Sequence, residues 1–463
     1  HGIYNPEPAA PFLDIVVLGD GEEVLPALLK MDHVLRKQKM PREKRIWEMA
    51  RTLPGLYAPN FYEITYNNDN SIADIIPKHE LPAQVDAQFI KSLDDYKVSS
   101  PLIGYEKTVH NRIFLEIMRG CTRGCRFCQA GMIRRPLRIA SVDSLVKQAV
   151  ELYKNTGYEE ICLYSLASSD YPYLKELTSR LLEIFSDKRV GISLPSLRIN
   201  EQLKILPEII ASVRKRGLTL APEVGTERMQ NIVNKAISTN EMLEAIEMAY
   251  DEGWNSIKLY FMIGLPFQDE KDYNSIVDLL HKVSERRKNK QRRAGNVSAS
   301  ISTFVPKCNT PFQWAPMAKY DDVFEIQKKI KRTVRSPKIN LNFHSTKFTK
   351  LEALIARGNR KVANVILDAW KNGAYLDAWN EHFKADAWDK ACKKHNIESS
   401  SYLYNEIPIE DKLPWSHLNP GVSLDFLKTE WQKAKLGELT ANCTDNKCNK
   451  CGIEIKYCKK IAK

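Results

Sequence analysis

Between Arg112 and Pro316 the sequence alternates apolar runs with stretches of helical period, and no other feature limits the fold so strongly. The runs Ile113–Met118, Glu160–Leu166, Val190–Leu194, Leu218–Ala221, Ile257–Ile263 and Val297–Val305 read as buried strands. Helical stretches lie between them. Ser141–Asn155 puts Val142, Leu145, Val146, Ala149 and Tyr153 on one face, with Ser141 as its cap and Gly157 as its stop. Glu241–Glu252 follows the capping box Ser238-Thr239-Asn240-Glu241 and closes at Gly253. Six strand–helix units in series predict an α/β fold with a parallel sheet and right-handed crossovers, curved into a partial barrel. Ligands on such sheets bind at the carboxyl ends of the strands.

The flanks read differently. A proline-rich turn at Tyr4–Pro8 leads into a strand at Leu13–Leu18 and a helix at Glu23–Lys30. One strand and one helix cannot form a core alone, so residues 1–45 read as the tail of an upstream α/β domain. Residues 46–108 read as a connector with short strands, and 109–318 as the barrel. In 319–440 the strand signal fades, and Asp321–Thr333, Phe348–Lys371 and Leu376–His395 show helical period. Residues 441–463 form a Cys-rich tail. The first residue is His1 and no basic-then-apolar leader follows, so a fragment of a longer chain is expected rather than a secreted precursor. At 43% hydrophobic and 27% charged, the chain has ample material for cores, and no apolar stretch nears the ~18 residues of a membrane span. Ten cysteines in 463 residues are too few for a disulfide scaffold, which favours a cytoplasmic setting and metal chemistry for those that cluster.

The first cluster follows the first predicted strand: Arg119-Gly120-Cys121-Thr122-Arg123-Gly124-Cys125-Arg126-Phe127-Cys128. Three thiolates in CxxxCxxC spacing can hold three irons of a 4Fe-4S cluster and leave the fourth open to a small molecule. A zinc site completed by a distant ligand is the plainer reading of the spacing alone.

A CxxxCxxC loop after the first barrel strand resembles the radical S-adenosylmethionine (SAM) superfamily. That resemblance implies a partial (βα)6 barrel, with Cys121, Cys125 and Cys128 on the cluster and SAM chelated at the open iron. It also implies reductive cleavage of SAM to a 5′-deoxyadenosyl radical, with an electron from a flavodoxin or ferredoxin. Carried over position by position, it points to SAM contacts from Phe127, from Ser165 and Ala167 after the second strand, and from Ser196 after the third. Glu223 after the fourth strand would approach the ribose, and Gly264 and Leu265 after the fifth the adenine. More narrowly, Asn5–Pro8, Gly19–Glu23, Leu166–Tyr171, Phe304–Trp314, Leu413–Trp415 and Gly421-Val422 resemble an uncharacterised family of cobalamin-domain-type radical SAM proteins. Two departures stand out. The body of the cobalamin-type domain is absent, so no cobalamin ligand can be named. Cys308-Asn309 stands where that family carries Pro-His.

Cys443, Cys448, Cys451 and Cys458 make a four-thiol set suited to structural zinc or to a second iron–sulfur cluster. Cys162 sits within a strand and reads as core, and His344, His382, His395 and His417 read as structural. The net charge is +12, with basic runs at Arg286–Arg293, Lys328–Arg332 and Arg357–Lys361. Such runs suit RNA phosphates, although each alone also fits a solvated surface. Two readings follow. One is a radical SAM enzyme acting on an unidentified substrate, RNA among the candidates, by methyl or methylthio transfer or a related C–H functionalisation. The other is a non-catalytic, metal-stabilised RNA-binding protein.

Overall fold

The computed structural model describes residues 4–96, 98, 101–106, 110–194, 218–291, 293–443 and 448–453. Its N-terminal part carries short elements. β1 (Val16–Val17) pairs antiparallel with β2 (Leu56–Tyr57), β3 (Tyr62–Tyr66) with β4 (Ile72–Pro77), and β5 (Val85–Asp86) follows. The helix expected at Glu23–Lys30 runs over Gly21–Lys37. Val24, Leu28, Met31 and Leu35 recur at helical spacing and pack on one core, so the apolar stripe continues past Lys30.

The parallel core comes in two described sheets. β6 (Ile113–Glu116), β9 (Glu160–Tyr164) and β10 (Gly191–Ser193) form one, in the order β10-β9-β6. β11 (Leu218–Glu223), β12 (Ser256–Ile263), β13 (Asn296–Thr303) and β14 (Ile339–Phe343) form the other, in that order and all parallel. All six expected strands are present. β14 is a seventh that the apolar runs do not reveal, because Ile339-Asn340-Leu341-Asn342-Phe343 alternates with asparagine.

The strands are not buried on both faces as expected. Val297, Ala299 and Ile301 of β13 are buried under helices, while Ser298, Ser300 and Ser302 between them are half-buried. Phe114, Tyr164 and Tyr260 are 46%, 39% and 37% exposed on their strands. One face of each sheet is thus sealed and the other more open, although Cys162, paired in register with Phe114, is buried on β9. Helices cover the sealed face. Val142–Thr156 is capped by Ser141, whose hydroxyl accepts from the Ser144 N–H, and stops at Gly157 with φ +65°. Thr239–Asp251 is capped the same way by Ser238.

Beyond Tyr320–Thr333 the helices are shorter than their periodicity suggests. The stretch Phe348–Lys371 divides into Thr346–Arg357 and Val362–Lys371. Gly358 turns extended between them, where a Cβ would lie 2.6 Å from the Leu354 carbonyl oxygen. The Asn5 amide donates to the freed Ala356 and Gly358 carbonyls. Leu376–His395 keeps a helix only over Ala385–Lys394. Ser399–Leu403 and Leu424–Leu436 complete the helices, and β15 (Leu418–Asn419) returns to pair with β5. The core that includes Tyr57, Met132, Ile133, Phe304, Trp314 and Trp431 joins the N-terminal segment, the cysteine-loop flank and the C-terminal helix. Among the described residues no helix is long and apolar enough to cross a membrane.

Candidate functional site

The first cysteine loop leaves the carboxyl end of β6. A two-residue ladder, β7 (Met118–Arg119) with β8 (Arg138–Ile139), closes its base. Gly120 turns the chain at φ +95°, and a Cβ there would lie 2.6 Å from the Arg134 and Pro136 carbonyl oxygens, so only glycine fits. Cys121 and Cys125 are buried and Cys128 is half-buried. Cys128 caps the short helix Gln129–Ile133, its Sγ accepting from the Gly131 N–H at 3.4 Å. Burial pushes the Cys128 thiol up to about 12; Cys125 and Cys121 add to the shift and Lys235 opposes it. The three thiols therefore lie within electrostatic reach of one another. Among the described residues no three His, Cys, Asp or Glu side chains are arranged around one metal ion. A cubane asks for something else, since each thiolate binds a different iron. Three soft donors on one partly buried loop fit that group.

A fully buried arginine anchors the loop. Arg126 donates from Nε to Glu430 Oε2 at 3.0 Å, from Nη1 to the Asn231 and Ile232 carbonyls at 2.9 and 3.1 Å, and from Nη2 to the Glu438 carbonyl at 2.8 Å. Glu430 also accepts from the Thr440 hydroxyl at 2.6 Å. Asn234 closes the circuit: its amide donates to the Gly124 carbonyl at 3.1 Å and accepts from the Thr440 N–H at 2.9 Å. Arg123 grips Asp170 with two 3.0 Å bonds, tying the loop to the turn after β9. Gln129 donates to the Cys308 carbonyl and Sγ at 3.1 and 2.8 Å, tying it to the segment after β13. None of these partners follows from spacing. Their signal is chemical: arginines inside a motif that must be partly buried need acceptors.

The other expected contacts sit at strand ends. Phe127 is half-buried against the core shared with the C-terminal helix. Ser165 accepts from the Ala167 N–H at 3.1 Å, shaping a buried turn. Glu223 holds φ +66° at a register shift in β11, a costly conformation for a side-chain-bearing residue, and takes the Lys235 ammonium at 2.8 Å. Lys235, absent from the sequence reading, thus faces both Glu223 and Cys128. Gly264 turns at φ +73°, and the Leu265 N–H is held by Gln268 Oε1 at 3.1 Å. Ser196 lies outside the described residues. Cys162 is buried, as read, and so is His417.

In the second cluster, Cys443 is half-buried and feels Arg135, Cys451 and Cys448, while Cys458 lies outside the described residues. Arg135 also donates to the Arg123 carbonyl at 3.1 Å, so Cys443 lies near the first loop. The Cys451 carbonyl accepts from the Ser423 N–H at 2.8 Å.

A family model described as the radical SAM superfamily matches residues 115–280, and one described as radical SAM proteins, N-terminal, matches residues 1–59. An uncharacterized protein of Methanocaldococcus jannaschii is 30% identical over 285 residues, 61% of this chain and 59% of that relative. A threonylcarbamoyladenosine tRNA methylthiotransferase of Aquifex aeolicus is 23% identical over 312 residues, 62% of this chain and 72% of its own. A ribosomal protein uS12 methylthiotransferase of Pseudothermotoga lettingae is 24% identical over 217 residues, 43% of this chain and 49% of its own. Among solved structures, a radical S-adenosylmethionine methyltransferase of Kitasatospora setae, with cobalamin and a 4Fe-4S cluster bound, aligns at TM-score 0.44 and 12% identity, over 64% of this chain and 55% of that one.

Proposed function

Since the chain belongs to the radical SAM superfamily, we propose that it is an enzyme whose Cys121, Cys125 and Cys128 hold a 4Fe-4S cluster. The observation that carries this reading is a trio of thiols, two buried and one half-buried, on a single loop held by Asp170, Asn234, Cys308 and Glu430. When bound, the cluster with SAM supplies reductive cleavage of the sulfonium bond and a 5′-deoxyadenosyl radical that abstracts hydrogen from substrate. The protein's own part is to bind, orient and exclude water. Arg126, Arg123 and Gln129 fix the loop. Ser165, Ala167, Glu223, Gly264 and Leu265 line the strand ends for SAM, with Phe127 and Ser196 completing the set. Lys235 neutralises Glu223 and sets a positive charge beside Cys128. In this reading the two described sheets are parts of one partial barrel, with a flavodoxin or ferredoxin as electron donor.

RNA is the substrate class we favour. The net charge of +12 and the runs Arg286–Arg293 and Lys328–Arg332 support it. The third run, Arg357–Lys361, does not, because Arg357 is buried on the Ala315, Leu403 and Asn405 carbonyls and Arg360 is paired with buried Glu7. The methylthiotransferase relatives include one named for a tRNA and one named for a ribosomal protein, so their names divide on substrate. The C-terminal thiols would hold a second iron–sulfur cluster or zinc. The test is Cys125→Ala after anaerobic reconstitution. It should lose SAM cleavage to background while keeping the wild-type thermal midpoint. Full cleavage by the variant would refute the assignment.

A further inference from the structure

A cavity of about 590 Å³ opens beside the carboxyl end of β14, between Asn342–Ser345, the helix face Phe348–Leu351–Ile355 and the turn Asp377–Asn380. Its volume lies within the range of small-molecule sites. Asn342 pairs in register with Ser300, so both side chains stand on the open face of the sheet. The cavity is also joined to the cysteine loop through named contacts: Glu352 in its wall binds Lys307, and neighbouring Cys308 binds Gln129, next to Cys128. Its walls are planar and its polar groups few. Phe343, Phe348 and Trp388 supply aromatic walls. Of the two lining carboxylates, Glu352 is paired with Lys307, whereas Asp377 accepts from the neutral Trp388 indole N–H at 2.7 Å and keeps its charge. The side chains of Asn342, His344 and Asn380 form no hydrogen bond among the described residues, which leaves donors and acceptors for a heteroaromatic edge.

The surface leading away from the cavity continues this pattern. Trp379, within the lining turn, is 60% exposed, Tyr375 is 64% and Trp370 is 54%, with the last two rings 5.9 Å apart. Lys371 and Lys384 lie among them, the Lys384 ammonium beside Gly373, and neither is ion-paired among the described residues. Exposed rings interleaved with free ammonium groups are what a single-stranded nucleic acid needs, bases stacking on the rings and phosphates meeting the cations.

We infer that the cavity beside β14 and the Trp370–Trp379 surface form a docking track for single-stranded RNA, with the cavity taking one unstacked base. This inference rests on RNA as the substrate class and adds where it is held.

The test is anisotropy of a fluorescein-labelled single-stranded oligoribonucleotide of mixed sequence, titrated with the purified chain over a salt series, with SAM cleavage measured in parallel. The double variant Tyr375→Ala/Trp379→Ala should weaken binding at least ~10-fold, on the stacking loss usual for two bases. Lys371→Ala/Lys384→Ala should weaken it and flatten its salt dependence. Asn342→Ala/His344→Ala tests the cavity itself, with a several-fold loss expected. All three keep SAM cleavage, because none touches the cysteine loop. Wild-type binding that every variant retains would overturn the docking track alone. No wild-type binding alongside normal SAM cleavage would overturn the track and the RNA reading together.

Discussion

Arg126 is fully buried and donates to a carboxylate and three carbonyls, so it carries the loop's attachment to the C-terminal helix. Removing one member of a buried ion pair typically costs about 3–5 kcal/mol, because the other is left in a poorly solvating site. Arg126→Met should therefore destabilise the fold by roughly that amount in urea unfolding. Adding Glu430→Leu should restore part of the loss, since the stranded carboxylate is gone. A double variant as unstable as the sum of the singles would contradict the pairing. His417 tells a different story at the same scale. It packs edge-on against Tyr57, with Tyr62, Glu7 and Arg360 nearby, and both ring nitrogens lack a hydrogen-bond partner. Burial, assisted by the Arg360 charge, lowers its pKa from 6.5 to about 3. The unfolded chain therefore takes up a proton first as pH drops below about 6.5, and stability falls from there towards pH 3. Between pH 7 and pH 5 the loss from this group is roughly 2 kcal/mol. His417→Phe should flatten that slope in urea unfolding; an unchanged slope would place the pH dependence elsewhere.

At the scale of elements, the capped helices on the sealed face are where local signals and tertiary structure agree. Ser141→Ala should lose about 1 kcal/mol with the cap, read by chemical denaturation. No measurable change would mean that the hydroxyl does not cap in solution. The same agreement explains which elements were legible in the sequence. The six apolar strands, the Ser141 and Ser238 caps, and the stop at Gly157 all follow from periodicity and side-chain chemistry. β14 was not legible, since a half-exposed edge strand bearing Asn340 and Asn342 has no apolar run. The break at Gly358 was hidden because its cause, the Asn5 amide, lies 351 to 353 residues away in sequence. For the candidate site, the thiols and the strand ends were readable. Lys235, Asn234, Gln129 and Glu430 were not, because each acts through a contact distant in sequence.

For the whole molecule, the cysteine loop is the meeting point of separate parts of the chain. The turn after β9, the segment Asn231–Asn234, the segment around Cys308 and the C-terminal helix each hold it through named bonds. The N-terminal segment latches onto the helical region through Glu7, which is wholly buried and bonded to Tyr57 and Arg360. This arrangement makes a rigid seat for three thiols beside an open sheet face. The proposed role of this seat is to hold a cluster able to cleave SAM. Anaerobic reconstitution with iron and sulfide, followed by reduction in the presence of SAM, tests it most directly. A brown protein with 4Fe-4S absorption that releases 5′-deoxyadenosine is the expected result. A colourless protein that retains zinc and leaves SAM intact would contradict it.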